Sequence, residues 1–104
     1  MNTVSAFYSP EANWAQCIHF VNHHKKLGFK ETNNPKPGDI VVFFKANNDP
    51  SHTGLYVGNS LFGPMMNHSD GGKKPNNYQK HFPIKLYMLA AKDYVEYKYY
   101  TYLG

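Results

Sequence analysis

The sequence predicts an α+β domain in which one N-terminal helix packs on an antiparallel sheet or half-barrel. A helical pattern of apolar residues lies near the N-terminus, and the continuous apolar run 40–45 indicates a buried strand. The tyrosine-rich tail 94–102 shows no helical stripe and favours β structure. With 104 residues and 41% hydrophobic content, we expect a single small packed domain over residues 1–104.

The helix is expected from about Pro10 or Trp14 to Leu27. A serine and a proline precede it as typical start signals, and a glycine follows its last residue. The spacing of Trp14 and Ile18 predicts that both face the core, which leaves Cys17 at the edge of the buried face.

The first two strands are predicted to form an antiparallel hairpin. The run 40–45 is apolar on both faces, and a polar loop then leads into a second strand over 53–58, with His52 at its start. A short strand is expected at 65–68, and 84–103 is interpreted as one or two further strands.

Cys17 is the single cysteine of the chain, so no internal disulfide can form and the thiol stays free. A thiol near a helix start and a histidine at the head of a later strand, His52, are the outline of a cysteine nucleophile with its general base. The alternative is structural: Cys17 would be a small buried apolar residue and His52 a surface histidine.

Three motifs stand in a fixed order along the first half of the chain. They are W-A-Q-C-I-H-F-V at 14–21, P-G-D and its apolar strand at 37–44, and S-H-T-G-L-Y-V-G at 51–58. Together they resemble the CHAP and NlpC-like group of papain-fold peptidoglycan hydrolases. The resemblance implies a papain-like fold in which the cysteine lies on the N-terminal helix and the histidine on the sheet.

The resemblance also implies roles for individual residues. Cys17 corresponds to the nucleophile, His52 to the general base, and Gln16 to a donor that helps to stabilise the oxyanion. A third polar residue orients the histidine from the following strand, and Asn67 is the first choice for it. The alternatives at this third position are His68 and Asp70.

The function implied is hydrolysis of an amide bond in peptidoglycan by a cysteine amidase or endopeptidase. The bond is in the stem peptide, in the cross-bridge, or between N-acetylmuramic acid and L-alanine. A phage lysin or a delivered antibacterial toxin would carry such a domain. Two alternatives stay open: a papain-like effector that acts as a deamidase or protease on a protein, and a non-catalytic module that binds the cell wall.

The net charge of +4 suits anionic surfaces, which include bacterial wall polymers and nucleic acid. Nucleic acid is not expected as a partner, because the lysine pairs 25–26 and 73–74 are not part of any recognised nucleic-acid-binding motif. No cofactor is expected either. His19 and His23 are four residues apart, but no further ligands are placed to complete a metal site with them.

The sequence also gives expectations for the cellular location and the oligomeric state of the chain. No membrane span or signal peptide is recognised, so we expect synthesis in the cytoplasm and action at the cell wall or in the periplasm after lysis or delivery. A monomer is expected. If the chain is a toxin, an immunity or inhibitor protein would be its partner.

Overall fold

A computed structural model describes residues 14–69 and 78–104; the side chains of residues 14–16 and 78 lie outside this description. Its helices and strands are α1 (Trp14–His23), β1 (Phe29–Thr32), β2 (Ile40–Lys45), β3 (Asp49–Ser60), β4 (Gly63–Ser69), β5 (Tyr78–Pro83), α2 (Ile84–Ala90) and β6 (Tyr94–Tyr102). A short 3₁₀ turn, Ala46–Asn48, joins β2 to β3.

The strands form one six-stranded sheet in the order β1-β6-β2-β3-β4-β5, and every neighbouring pair is antiparallel. Helix α1 packs against β3, whereas α2 packs against β4, β5 and β6. This architecture confirms the predicted α+β class and the hairpin of β2 and β3. Strand β4 confirms the short strand expected at 65–68, with longer bounds.

Strand β2 is buried on both sides, as its apolar sequence predicts. Its alternate side chains enter two separate hydrophobic clusters. The first contains Phe20, Phe29, Ile40, Val42, Phe44 and Tyr100, and the second contains Val41, Phe43, Tyr56, Met66, Ile84 and Tyr87. One of these clusters thus includes Phe20 of α1, and the other includes Ile84 and Tyr87 of α2.

The buried face of α1 differs from the predicted one. Cys17 is 2% exposed and Phe20 is fully buried, whereas Ile18 is only half-buried. Phe20 makes edge-on contacts with Phe29 and Tyr100, at ring-centroid distances of 5.0 and 5.2 Å. These aromatic partners lie on β1 and β6, so the tertiary packing turns the Cys17 face inward.

The helix also ends earlier than predicted, at His23, and continues as hydrogen-bonded turns. The Phe29 amide donates to the His24 carbonyl and the Gly28 amide to the Lys25 carbonyl, which is the pattern of a Schellman C-cap. Gly28 has a φ of 90° there, which glycine adopts without a steric penalty.

The prediction of strand structure throughout 84–103 is wrong in its first part. Residues Ile84–Ala90 form α2, while Tyr94–Tyr102 form the expected strand β6. Ile84 and Tyr87 are three residues apart and are its buried side chains, so one helical face carries the packing. Strands β1 and β5 were not predicted from the sequence.

The Pro37-Gly38 pair forms a turn that leads into β2, as predicted. The Asp39 amide donates to the Lys36 carbonyl at 3.0 Å, and Gly38 has a φ of 100°. The buried Asp39 carboxylate accepts hydrogen bonds from the Lys36 amide at 2.9 Å and from the Thr101 hydroxyl at 2.8 Å. Asp39 therefore links this turn to β6.

Candidate active site

A bulge in β3 positions His52. The register with β2 pairs Phe43 with His52 but Phe44 with Pro50, so Ser51 is the extra residue. Direct partners in a ladder project to the same face, and the rings of Phe43 and His52 are 5.7 Å apart. His52 therefore lies on the α2 side of the sheet.

On that face the His52 ring also contacts Tyr87 and His68. It stacks on Tyr87 of α2, with centroids 4.8 Å apart and ring planes 19° apart. Its Nε2 is 2.9 Å from Nδ1 of His68 on β4. His68 is fully buried, and its Nε2 is in turn 2.9 Å from Oε1 of Gln79 on β5. Three strands thus contribute to one hydrogen-bonded chain.

Asn67, the first choice for the third site residue, has a different contact. Its Oδ1 accepts a 2.9 Å hydrogen bond from the backbone amide of His81. Neighbouring residues of a strand project to opposite faces, so only one of Asn67 and His68 can approach His52. The structure brings His68 to the ring of His52, while Asp70 lies outside the described residues.

Cys17 is a buried residue of α1. Burial raises the pKa of its thiol to about 11, although its own backbone amide acts in the opposite direction. Helix α1 packs on β3, the strand that carries His52. The side chain of Gln16 is outside the described residues, so its expected role stays a prediction.

Tyr94 is a common neighbour of Cys17 and His52. Burial raises the pKa of its phenol; a hydrogen bond with Tyr87 opposes this shift, and the charged form of Cys17 is among the groups that reinforce it. The Tyr94 ring also lies 6.4 Å from that of His52, measured between centroids. Tyr94 is therefore within electrostatic range of Cys17 and has its ring near that of His52.

The electrostatics of the site favour uncharged groups. The pKa of His52 is lowered to about 3, mainly by burial and to a smaller extent by the charge of the neighbouring His68. At neutral pH the imidazole of His52 is therefore neutral and the Cys17 thiol is protonated. A thiolate–imidazolium pair of Cys17 and His52 is therefore disfavoured before substrate binds. Cys17 can act as a nucleophile only if its thiol loses the proton during the attack.

A pocket of about 270 Å³ opens beside His68. Its lining residues are His68, Gln79, Phe82, Tyr87, Ala90 and Ala91. The sequence analysis identified none of Gln79, Tyr87 and Tyr94 as site residues. The only sequence signal for the two tyrosines was a high tyrosine content, which strand packing explains equally well, and Gln79 had no signal.

The described ranges 14–69 and 78–104 contain no group of three or more His, Cys, Asp or Glu side chains that could hold a metal ion. The His19 and His23 rings are 4.7 Å apart on the exposed side of α1. In the same ranges, no helix has the length and apolar character needed to cross a membrane.

Comparison with known proteins adds a family assignment to this geometry. The family model of the NlpC/P60 family matches residues 8–92, a range that includes Cys17, His52 and His68. Comparisons with curated protein sequences and with solved structures give no match. Of the two groups that the motifs resemble, the match shows NlpC/P60, while CHAP stays a resemblance. The chain therefore belongs to the NlpC/P60 family of cysteine peptidases and related hydrolases.

Proposed function

We propose that this chain hydrolyses an amide bond of peptidoglycan with Cys17 as nucleophile, His52 as general base and His68 as the residue that orients His52. The single observation that carries the proposal is the 2.9 Å contact between His52 and His68, on the strand pair beside the cysteine helix. Peptidoglycan as substrate fits the family, and the net charge of +4 suits an anionic wall.

In the first half-reaction the Cys17 thiol gives its proton to Nδ1 of His52 while its sulfur attacks the carbonyl carbon. The hydrogen bond between His52 and His68 leaves Nδ1 as the ring nitrogen available for this proton. The tetrahedral oxyanion collapses and the C–N bond breaks. The His52 imidazolium returns the proton to the leaving amine, and the acyl group stays on sulfur as a thioester.

In the second half-reaction a water molecule attacks the thioester, and His52 accepts one of its protons. The C–S bond breaks, a carboxylic acid leaves, and the thiolate is protonated by His52. Each atom of the chain ends in its starting state.

The oxyanion needs hydrogen-bond donors close to the sulfur. The backbone amide of Cys17 lies near its own thiol, where it opposes the rise in the pKa of that group. Together with the side chain of Gln16, this amide is the proposed oxyanion site. Removal of one such donor typically costs about 100- to 1000-fold in kcat.

The finer parts of the proposal concern the bond and the biological setting. The amide cleaved is in the stem peptide, in the cross-bridge, or between N-acetylmuramic acid and L-alanine. Action at the cell wall suits the positive charge, and a phage lysin or a delivered antibacterial toxin is the proposed biological setting. The muropeptide products would identify the bond directly.

The test incubates the purified full chain with isolated sacculi and analyses the soluble products by mass spectrometry. Cys17→Ala and His52→Ala should each lower kcat by at least about 1000-fold. His19→Ala is the matched control, because it changes an exposed histidine of the same helix, and it should keep wild-type activity. Circular dichroism shows whether each variant is folded.

Three results would contradict the proposal. Undiminished hydrolysis by Cys17→Ala would exclude the thiol mechanism. Binding of the wild type to sacculi without any release of products would favour a non-catalytic wall-binding module. Modification of host proteins with intact sacculi would favour the effector deamidase or protease.

A further inference from the structure

The side-chain amide of Gln79 faces the Nε2 atom of His68. Oε1 of Gln79 is 2.9 Å from Nε2 of His68, and an amide oxygen can only accept a hydrogen bond. Nε2 of His68 must therefore carry the hydrogen. A neutral imidazole has one N–H, so Nδ1 of His68 keeps its lone pair.

The hydrogen bond between His68 and His52 fixes the tautomer of His52 in the same way. Nδ1 of His68 is 2.9 Å from Nε2 of His52, and with a lone pair it can only accept. Nε2 of His52 is then the donor, and Nδ1 of His52 keeps a lone pair. Among the residues that the structure describes, no side chain or amide is hydrogen-bonded to this Nδ1, so it stays available for a thiol proton.

The direction of this chain depends on how the Gln79 amide is turned. With the NH₂ group toward His68, Nε2 of His68 would have to accept and Nδ1 would carry the hydrogen. His52 would then accept at Nε2 and carry its own hydrogen on Nδ1, where it could not take a proton from the thiol. One amide rotation separates a competent base from an incompetent one.

The fold places Gln79 opposite His68. The two residues are direct partners in the register of β4 and β5, and the register shifts beyond them, where Met66 pairs with Phe82. Asn67 stabilises this irregularity by accepting the His81 amide at 2.9 Å, and His81 has a φ of 53°. Asn67 therefore has a structural role in the placement of Gln79.

We propose that Gln79 is a positioning residue whose amide oxygen selects the His68 tautomer and, through it, the tautomer of His52 that can accept the thiol proton. The catalytic relevance rests on the proposed function, whereas the assignment of the tautomers does not. Gln79 itself touches neither the thiol nor the scissile bond in this mechanism. It affects the reaction only by setting the tautomers of His68 and His52.

The test measures the tautomers by long-range ¹H–¹⁵N NMR of the full chain at pH 7. In the wild type, His52 and His68 should both carry their hydrogen on Nε2. Gln79→Glu keeps an acceptor and should keep both tautomers. Gln79→Leu has no acceptor, so both histidines should show a mixture of Nε2–H and Nδ1–H forms.

The kinetic arm of the test uses the same variants on sacculi. Gln79→Leu should lower kcat by about 10- to 100-fold with little change in KM, as expected for outer partners of functional histidines. Gln79→Glu should recover most of that loss. Lys80→Leu is the matched control, because it removes an exposed neighbour on β5 and should change neither readout.

Two outcomes would overturn the inference: a His52 that carries its hydrogen on Nδ1 in the wild type, or a Gln79→Leu variant with unchanged tautomers and unchanged kcat. If the wild type shows the expected tautomers but cleaves no sacculi, the proposed function fails instead. If Gln79→Leu does not fold, Gln79→Lys takes its place: its ammonium group can only donate, so both histidines should carry their hydrogen on Nδ1, and unchanged tautomers would overturn the inference.

Discussion

The imidazole of His52 stacks on the phenol ring of Tyr87, with 4.8 Å between centroids and 19° between the ring planes. Tyr87 comes from α2, the helix that the sequence analysis interpreted as a strand. Its ring also lies 5.0 Å from His68 and 4.8 Å from Phe43. A helix late in the chain thus holds both histidines against the sheet.

Replacement of Tyr87 should separate stacking from hydrogen bonding. Tyr87→Phe keeps the ring and loses the hydrogen bond with Tyr94, so it should lower the free energy of unfolding by about 1 kcal/mol. Tyr87→Leu also loses the stack on His52 and should cost about 1–3 kcal/mol and at least about tenfold in kcat. Urea unfolding and sacculus hydrolysis measure the two effects. Equal activity in both variants would contradict a positioning role for the ring.

Acid should destabilise the protein through His52. Its folded pKa of about 3 is below the usual value of 6.5, so the unfolded chain binds a proton that the folded one excludes. The stabilisation is present above pH 6.5 and is lost as the pH falls toward 3, by a few kcal/mol at most. Urea unfolding at pH 7 and pH 4 measures the loss. The loss of unfolding free energy between pH 7 and pH 4 should be smaller in His52→Gln than in the wild type. An equal loss in the two proteins would show that other groups cause the acid sensitivity.

Alkali should destabilise the protein through Cys17. The folded pKa of about 11 is above the reference value of 9.0, so the unfolded chain loses its proton first. Stability should hold below pH 9 and fall by about 2–3 kcal/mol as the pH rises through 11. Cys17→Ala removes this group, and the difference in unfolding free energy between the two proteins should shrink over that window. A constant difference would disagree with a buried, protonated thiol.

The same burial predicts slow alkylation of Cys17. At pH 7 iodoacetamide should modify the folded chain more slowly than the urea-unfolded chain, because the thiol is buried and protonated. Rapid alkylation of the folded chain would instead indicate a resting thiolate. Slow alkylation is compatible with catalysis, since the mechanism deprotonates the thiol only during the attack.

Gly54 should resist substitution because β3 and β4 approach closely there. A Cβ at this position would lie 2.7 Å from Sδ of Met66, 3.2 Å from Cγ1 of Val41 and 3.3 Å from the Asn67 carbonyl oxygen. Gly54→Ala should therefore cost about 1–3 kcal/mol in urea unfolding. In the double variant with Met66→Ala, the combined cost should be smaller than the sum of the two single costs. Strict additivity would show that Met66 is not the obstacle.

The parts of the fold that could be predicted depend on local patterns. The apolar run of β2, the Pro37-Gly38 turn and the hairpin into β3 each have a signal within a few neighbouring residues. Helix α2 had no such signal, because its two buried residues, Ile84 and Tyr87, become a core face only against β4 and β5. Strand β1 was missed because its four residues gain their pairing from the distant β6.

The candidate site divides in the same way. Local motifs identified Cys17 and His52, and the sequence alone established a single free thiol on the predicted helix. The choice among Asn67, His68 and Asp70 could not be made from sequence, since a shift of one residue along a strand exchanges the two faces of the sheet. Only the register of β3, β4 and β5 decided that His68 meets His52 and that Gln79 meets His68, because such hydrogen bonds join residues that only the folded sheet brings together.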